Sequence, residues 1–118
     1  MEKMKITTPF PPSVNHYWRN VKGRVYISKE GVDFARAVAR MHDITKCPPL
    51  AGRLVVTVHL YAPNKRRYDI DNRCKALLDA LTKSGVWLDD EQIDELKIIR
   101  CSVAKENPRA EVEIYERT

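Results

Sequence analysis

Residues 54–85 read LVVTVHLYAPNKRRYDIDNRCKALLDALTKSG. The first eight positions, Leu54 to Tyr61, are dense in β-branched residues, which predicts a strand covered on both faces and central in its sheet. From about Asp71 to Lys83, Cys74, Leu77, Leu78 and Leu81 fall at i, i+3, i+4 and i+7 and make one apolar stripe along a helix. Gly85 supplies its stop. Between strand and helix, Lys65-Arg66-Arg67-Tyr68-Asp69-Ile70-Asp71-Asn72 runs a basic cluster directly into two aspartates.

Upstream of this unit, Met4, Ile6 and Thr8 alternate with Lys5 and Thr7 as a first strand, stopped by Pro9, Pro11 and Pro12. Ser13 to Gly23 reads as an aromatic and basic loop, and Arg24–Ile27 as a short strand. Ser28 is placed to cap a helix through about Lys46, with Val32, Ala35, Ala39 and His42 at helical spacing and Phe34, Val38 and Met41 alongside. Pro48 and Pro49 end it. Downstream, Leu96–Val103 and Ala110–Tyr115 read as strands joined by a turn at Glu106 to Arg109, with Val112 and Ile114 facing in and Glu111 and Glu113 out. The order β-β-α-β-α-β-β predicts a single α+β domain over residues 1–118, two helices on a mixed or mostly antiparallel sheet.

With 118 residues, 43% hydrophobic and 31% charged, the chain has material for one core and lacks the bias of a disordered tail or a fibre. No apolar run is long enough to span a bilayer, and the opening residues lack a secretory pattern, so a soluble, cytosolic protein is expected. Cys47, Cys74 and Cys101 form no C-x-x-C, and His16, His42 and His59 show no paired ligand spacing; all six read as structural. Ser28, Ser84 and Ser102 lack a nucleophile-elbow context, and four glycines leave no phosphate-cradling loop. The net charge of +5 suits a polyanionic partner, and it is unevenly spread: residues 1–67 carry a net +9 and residues 68–118 a net −4.

Asp69 and Asp71, two apart, face the same side of an extended segment, an arrangement that suits the oxygen-seeking Mg²⁺ ion. Asp71 ahead of an apolar helical stripe is equally suited to cap that helix, as is Asn72. Lys75 lies one turn on from Asp71, where its ammonium could reach a phosphate or simply pair with Asp71 or Asp79. Trp87 and Leu88 are expected to anchor Asp89 and Asp90, one of which could join Asp69 and Asp71 as a third ligand, or both could cap a turn through Asp94. Three carboxylates and a lysine beside Lys65, Arg66 and Arg67 fit metal-assisted phosphodiester hydrolysis. The competing expectation is a catalytically silent DNA-binding protein whose acids are caps and whose basic face does all the work.

The chain resembles the RusA family of Holliday junction resolvases, small endodeoxyribonucleases common on prophages. The resemblance runs from Pro11-Pro12-Ser13 and Asn15 through Tyr17, Arg19, Gly23, Arg24, Ser28, Glu30 and Gly31. Its most specific part is Arg67-Tyr68-Asp69-Ile70-Asp71-Asn72 with Lys75, continuing through Asp79–Lys83 and Gly85 to Trp87-Leu88-Asp89-Asp90. It implies that Asp69, Asp71 and Asp90 bind Mg²⁺, with Mn²⁺ as an alternative, and that Lys75 is needed for cleavage; the choice of Asp90 over Asp89 comes from the resemblance. It implies a homodimer acting on four-way junctions in the bacterial cytosol, with no organic cofactor and no membrane; a nuclease for other branched DNA such as forks and flaps is the nearer competing expectation. Arg19, Lys22, Arg24, Lys65, Arg66 and Arg67 are expected on DNA phosphates, and Tyr17 or Trp18 as a wedge at the branch point. Tyr68 departs from the pattern, standing where an arginine is expected.

Overall fold

The computed structural model describes residues 3–13, 18–45 and 48–117, without the side chains of 18, 19 and 42–45. The expectations for Asn15, His16, Tyr17 and Cys47, and for the side chains of Trp18, Arg19 and His42, lie outside the described residues.

A four-stranded sheet is ordered β1 (Lys3–Pro9), β6 (Arg109–Glu116), β4 (Leu54–Tyr61), β5 (Ile93–Arg100). β6 runs antiparallel to both β1 and β4, while β4 and β5 run parallel, so the sheet is mixed. In β4, Leu54, Val56, Val58 and Leu60 are fully buried and their alternates only half so. β4 is thus internal as expected, but one face is closed and the other is half-open. Helices α1 (Lys29–Thr45) and α2 (Ile70–Ser84) both add their apolar residues to the closed face: Phe34 and Val38 from α1, Cys74, Leu77 and Leu81 from α2. β6 alternates as its sequence predicts, Val112 and Ile114 in the core, Glu111 and Glu113 paired outside with Lys5 and Lys3.

Three local differences from the sequence have physical causes. The Ser13–Gly23 segment is not all loop: Trp18–Val21 (β2) pairs with Arg24–Ile27 (β3) through a two-residue turn, Lys22 and Gly23, both at positive φ (52° and 77°). The strand expected from Leu96 instead spans Ile93–Arg100, because parallel pairing sets Leu54 opposite Ile93; Leu96 and Val103 are exposed. Leu88 is exposed as well, leaving Trp87 as the core anchor.

The helix boundaries follow local chemistry. Ser28 Oγ accepts from the Gly31 amide at 3.0 Å, the capping bond its residue type favours. α2 closes on Gly85, left-handed at φ 90°, whose amide donates to Leu81 and Thr82 carbonyls, while the Val86 amide bonds Leu81 O at 3.2 Å. The buried Trp87 then donates from Nε1 to Thr82 Oγ1 at 2.6 Å, fixing the chain that leads to Asp89 and Asp90.

Candidate functional site

The connection from β4 to α2 carries the basic cluster. Lys65, Arg66 and Arg67 are all exposed, and Asn64 Oδ1 accepts from the Arg66 amide at 3.0 Å, a side-chain turn that bends the loop. Asp69 is the helix N-cap residue, extended at φ −92°, ψ 129°, and its side chain makes no capping hydrogen bond. Asp71 lies inside the first helical turn, and both carboxylates are exposed. The pair therefore straddles the strand-to-helix boundary instead of sharing one extended segment, and Asp71 is not the cap.

Asp69 lines a polar cavity of about 340 Å³ with Ser13, Arg67, Tyr68, Asn72 and Arg73. Lys75, one turn after Asp71, is exposed and sits 3.3 Å from Asp79 Oδ1, the second of the two pairings open to it. Cys74, on the core-facing side of the helix, is buried; burial, then the Asp71 charge, pushes its thiol up to about 11, so it is inert packing.

The acidic segment after α2 divides its labour. Asp89 caps the short 3₁₀ turn Asp90–Gln92, accepting from the Glu91 amide at 3.0 Å, and the turn ends at Gln92, short of Asp94. Asp90 is left half-buried and outside the cap. Burial first, then hydrogen bonding and repulsion from Asp89, raise its pKa above the ordinary 3.8; Lys75 opposes the rise and Asp79 adds to it. Asp90 thus lies within electrostatic reach of Lys75 and Asp79.

The buried Gln92 holds this turn. Its Oε1 accepts from the Leu88 and Asp89 amides at 2.9 and 2.8 Å, and its Nε2 donates to Leu50 and Gly52 carbonyls at 2.9 and 2.8 Å. Neither Gln92 nor Arg73 stands out among the candidate residues of the sequence. Gln92 does carry a readable signal, a Gln three positions after a capping Asp, which is the spacing of a capping box.

Because β4 and β5 are parallel, the segment leaving β4 and the one entering β5 lie at opposite ends of the strand pair. Asp69 is at one end; the Asp90 turn approaches from the other, and α2 joins them. Asp71, Lys75 and Asp79 step along that helix at i, i+4 and i+8, about 12 Å of axial rise. Among the described residues no three His, Cys, Asp or Glu side chains gather closely enough to hold a metal ion. The structure brings together Asp90, Lys75 and Asp79, and separately Asp69 with Arg67 and Arg73. Lys22 and Arg24 are exposed on the β2–β3 hairpin, a separate two-stranded sheet.

The family model described as Endodeoxyribonuclease RusA matches residues 9–115. The chain is similar to the "Crossover junction endodeoxyribonuclease RusA" of Escherichia coli (strain K12), 40% identical over 121 residues, covering 98% of this chain and 97% of that protein. The same figures hold for the protein so named from Enterobacteria phage 82 and for that of Shigella sonnei (strain Ss046).

Proposed function

The chain belongs to the RusA family of endodeoxyribonucleases, and from that premise we propose that it resolves Holliday junctions by paired, metal-dependent nicks at the four-way crossover. The observation that carries the catalytic reading is Asp69: it stands at the N-cap of α2 without making a capping hydrogen bond, its carboxylate exposed like that of Asp71 at the end of the basic loop. The donor set suits Mg²⁺ or Mn²⁺, being all carboxylate oxygen and, at Asp69, uncommitted to the helix cap. Asp69, Asp71 and Asp90 are the residues that would hold it. Mg²⁺ is commonly bound by one or two carboxylates with water and substrate phosphate, so a preassembled triple is not required.

When bound there, a divalent ion would supply Lewis-acid chemistry, polarising a phosphoryl oxygen and acidifying water. The chain's own groups do the rest. Lys75, exposed beside Asp79, offers an ammonium for charge developing on the phosphate or the leaving oxygen. Lys22, Arg24, Lys65, Arg66 and Arg67, with Arg19, hold the DNA backbone and set its register without reading bases. A homodimer presents two identical sites to a nearly two-fold junction, which matches the need to cut two strands. No described helix is long and apolar enough to cross a membrane, and the bacterial cytosol, where the DNA substrate lies, is the proposed location.

The test is a gel assay on an end-labelled four-way junction beside linear duplex, fork and flap DNA of the same sequence, with Mg²⁺, Mn²⁺ or EDTA. Symmetric nicks near the crossover, confined to the junction and to the metal lanes, are expected. Binding without nicks in any metal would overturn the nuclease reading, and preferential cutting of forks or flaps would overturn the junction assignment.

A further inference from the structure

Arg73 is a cation that the expected site does not use. Its Nη1 donates to the Pro11 carbonyl at 3.0 Å, and its guanidinium lies over the rings of Phe10 and Tyr68, at 5.2 and 5.8 Å from their centroids. Phe10 and Tyr68 themselves meet edge to face at 5.4 Å. The guanidinium plane is therefore held by a carbonyl and two aromatic rings, with one donor committed and the other N–H groups left over.

Arg73 is half-buried, and among the described residues it pairs with no carboxylate within 4.0 Å. Glu30 and Asp33 share a recess with it on the α1 side, but neither closes an ion pair with it. A half-buried charge without a direct ion pair is costly unless something anionic completes it. Arg73 also lines the 340 Å³ cavity that holds Asp69, and shares a second recess of about 290 Å³ with Arg67 and Tyr68. The phosphodiester group, with two free oxygens, matches a guanidinium fork.

We propose that Arg73, with Arg67 on the same recess, binds a DNA backbone phosphate immediately beside the one held at Asp69. Which phosphate it is rests on the nuclease reading above; that the recess takes a phosphodiester does not. At position 68 this chain has an aromatic ring, and Arg73 sets a guanidinium over it from the helix.

The test is binding of a four-way junction in EDTA, where no cutting occurs, measured against salt for wild type, Arg73→Gln and Asp71→Asn. The glutamine can still donate to Pro11 O while losing the charge. The slope of log K against log salt is expected to become shallower by about one and affinity to fall ~10-fold for Arg73→Gln, with the Asp71→Asn slope no shallower than wild type. An unchanged slope and affinity in a variant with a wild-type thermal transition would overturn the proposal. Should Arg73→Gln not fold, phenylglyoxal labelling of the wild type, mapped by mass spectrometry, replaces it. Protection of Arg73 by junction DNA supports the proposal, and equal labelling with and without DNA overturns it. A wild type that binds but never cuts would sink the nuclease reading and leave this test unaffected.

Discussion

Arg100, the last residue of β5, donates from Nη2 to the Tyr68 carbonyl at 2.9 Å and lies 4.1 Å from the centroid of the Tyr68 ring. The edge strand thereby grips the residue directly ahead of Asp69. The connection that carries the basic cluster is fixed at its α2 end by a strand far away in sequence, and Arg73 reaches the same ring from the helix.

The ring, not the hydroxyl, does this work. Tyr68 Oη is buried without a hydrogen-bond partner among the described residues. Tyr68→Phe keeps both cation contacts and removes an unpaired polar atom, so urea unfolding is expected to show unchanged stability or a gain of up to ~1 kcal/mol. Tyr68→Ala is expected to lose ~2–4 kcal/mol and most of the cutting. A Phe variant as damaged as the Ala variant would contradict this.

Gln92→Leu removes four hydrogen bonds and leaves the Leu50 and Gly52 carbonyls and the Leu88 and Asp89 amides without their partner. Chemical denaturation should show a loss of ~2–4 kcal/mol. Cutting should fall further than junction binding, because the turn that presents Asp90 is the part released.

Asp94 is held below its ordinary pKa of 3.8 by hydrogen bonding to Arg53 and, against an opposing effect of burial, by the charges of Arg53 and Arg117. Its folded value is the lower one, so its contribution is present above 3.8 and is lost as pH falls through the folded value. Glu111, lowered chiefly by its hydrogen bond to Arg109, has the same sign below 4.5. Stability should drop below about pH 4, and Asp94→Asn, followed by thermal melting against pH, should flatten part of that fall. An unaltered acid limb would show that the Arg53 pair contributes nothing.

Lys75→Met removes a positive charge that acts on Asp90. At saturating junction DNA the cutting rate is expected to fall ~100-fold while affinity changes by less than ~3-fold, since one exposed lysine is a small part of the phosphate contact but a large part of the local charge at the reacting group. Equal losses in both would make Lys75 an ordinary DNA-binding residue.

The fold was legible where a periodicity spoke for itself: β4 by its β-branched run, α2 by its stripe and Gly85, β6 by clean alternation, α1 by Ser28. β2 was not, because a four-residue strand at Trp18–Val21 is marked only by Gly23 in the turn that follows it. The start of β5 depends on its parallel register with β4, a tertiary fact that Leu96 as first apolar residue disguised. At the site, residue types singled out Asp69, Asp71, Lys75 and the Asp89–Asp90 pair as candidates, and the resemblance alone chose Asp90; spacing could not say that the parallel β4–β5 pair sets the aspartate loops at opposite ends of α2. Arg73 was hidden for a similar reason: its partners Pro11, Phe10 and Tyr68 come from three separate places in the chain, and only the fold gathers them.

The central claim is that the carboxylates at the start of α2 carry the cut and not the grip on DNA. The measurement that tests it most directly compares wild type and Asp71→Asn on one labelled four-way junction in Mg²⁺, reading nicked product and bound fraction from the same samples. Asp71→Asn should bind at least as well as wild type, since it sheds an exposed negative charge, and yield no nicks. A variant that nicks at the wild-type rate would contradict the account.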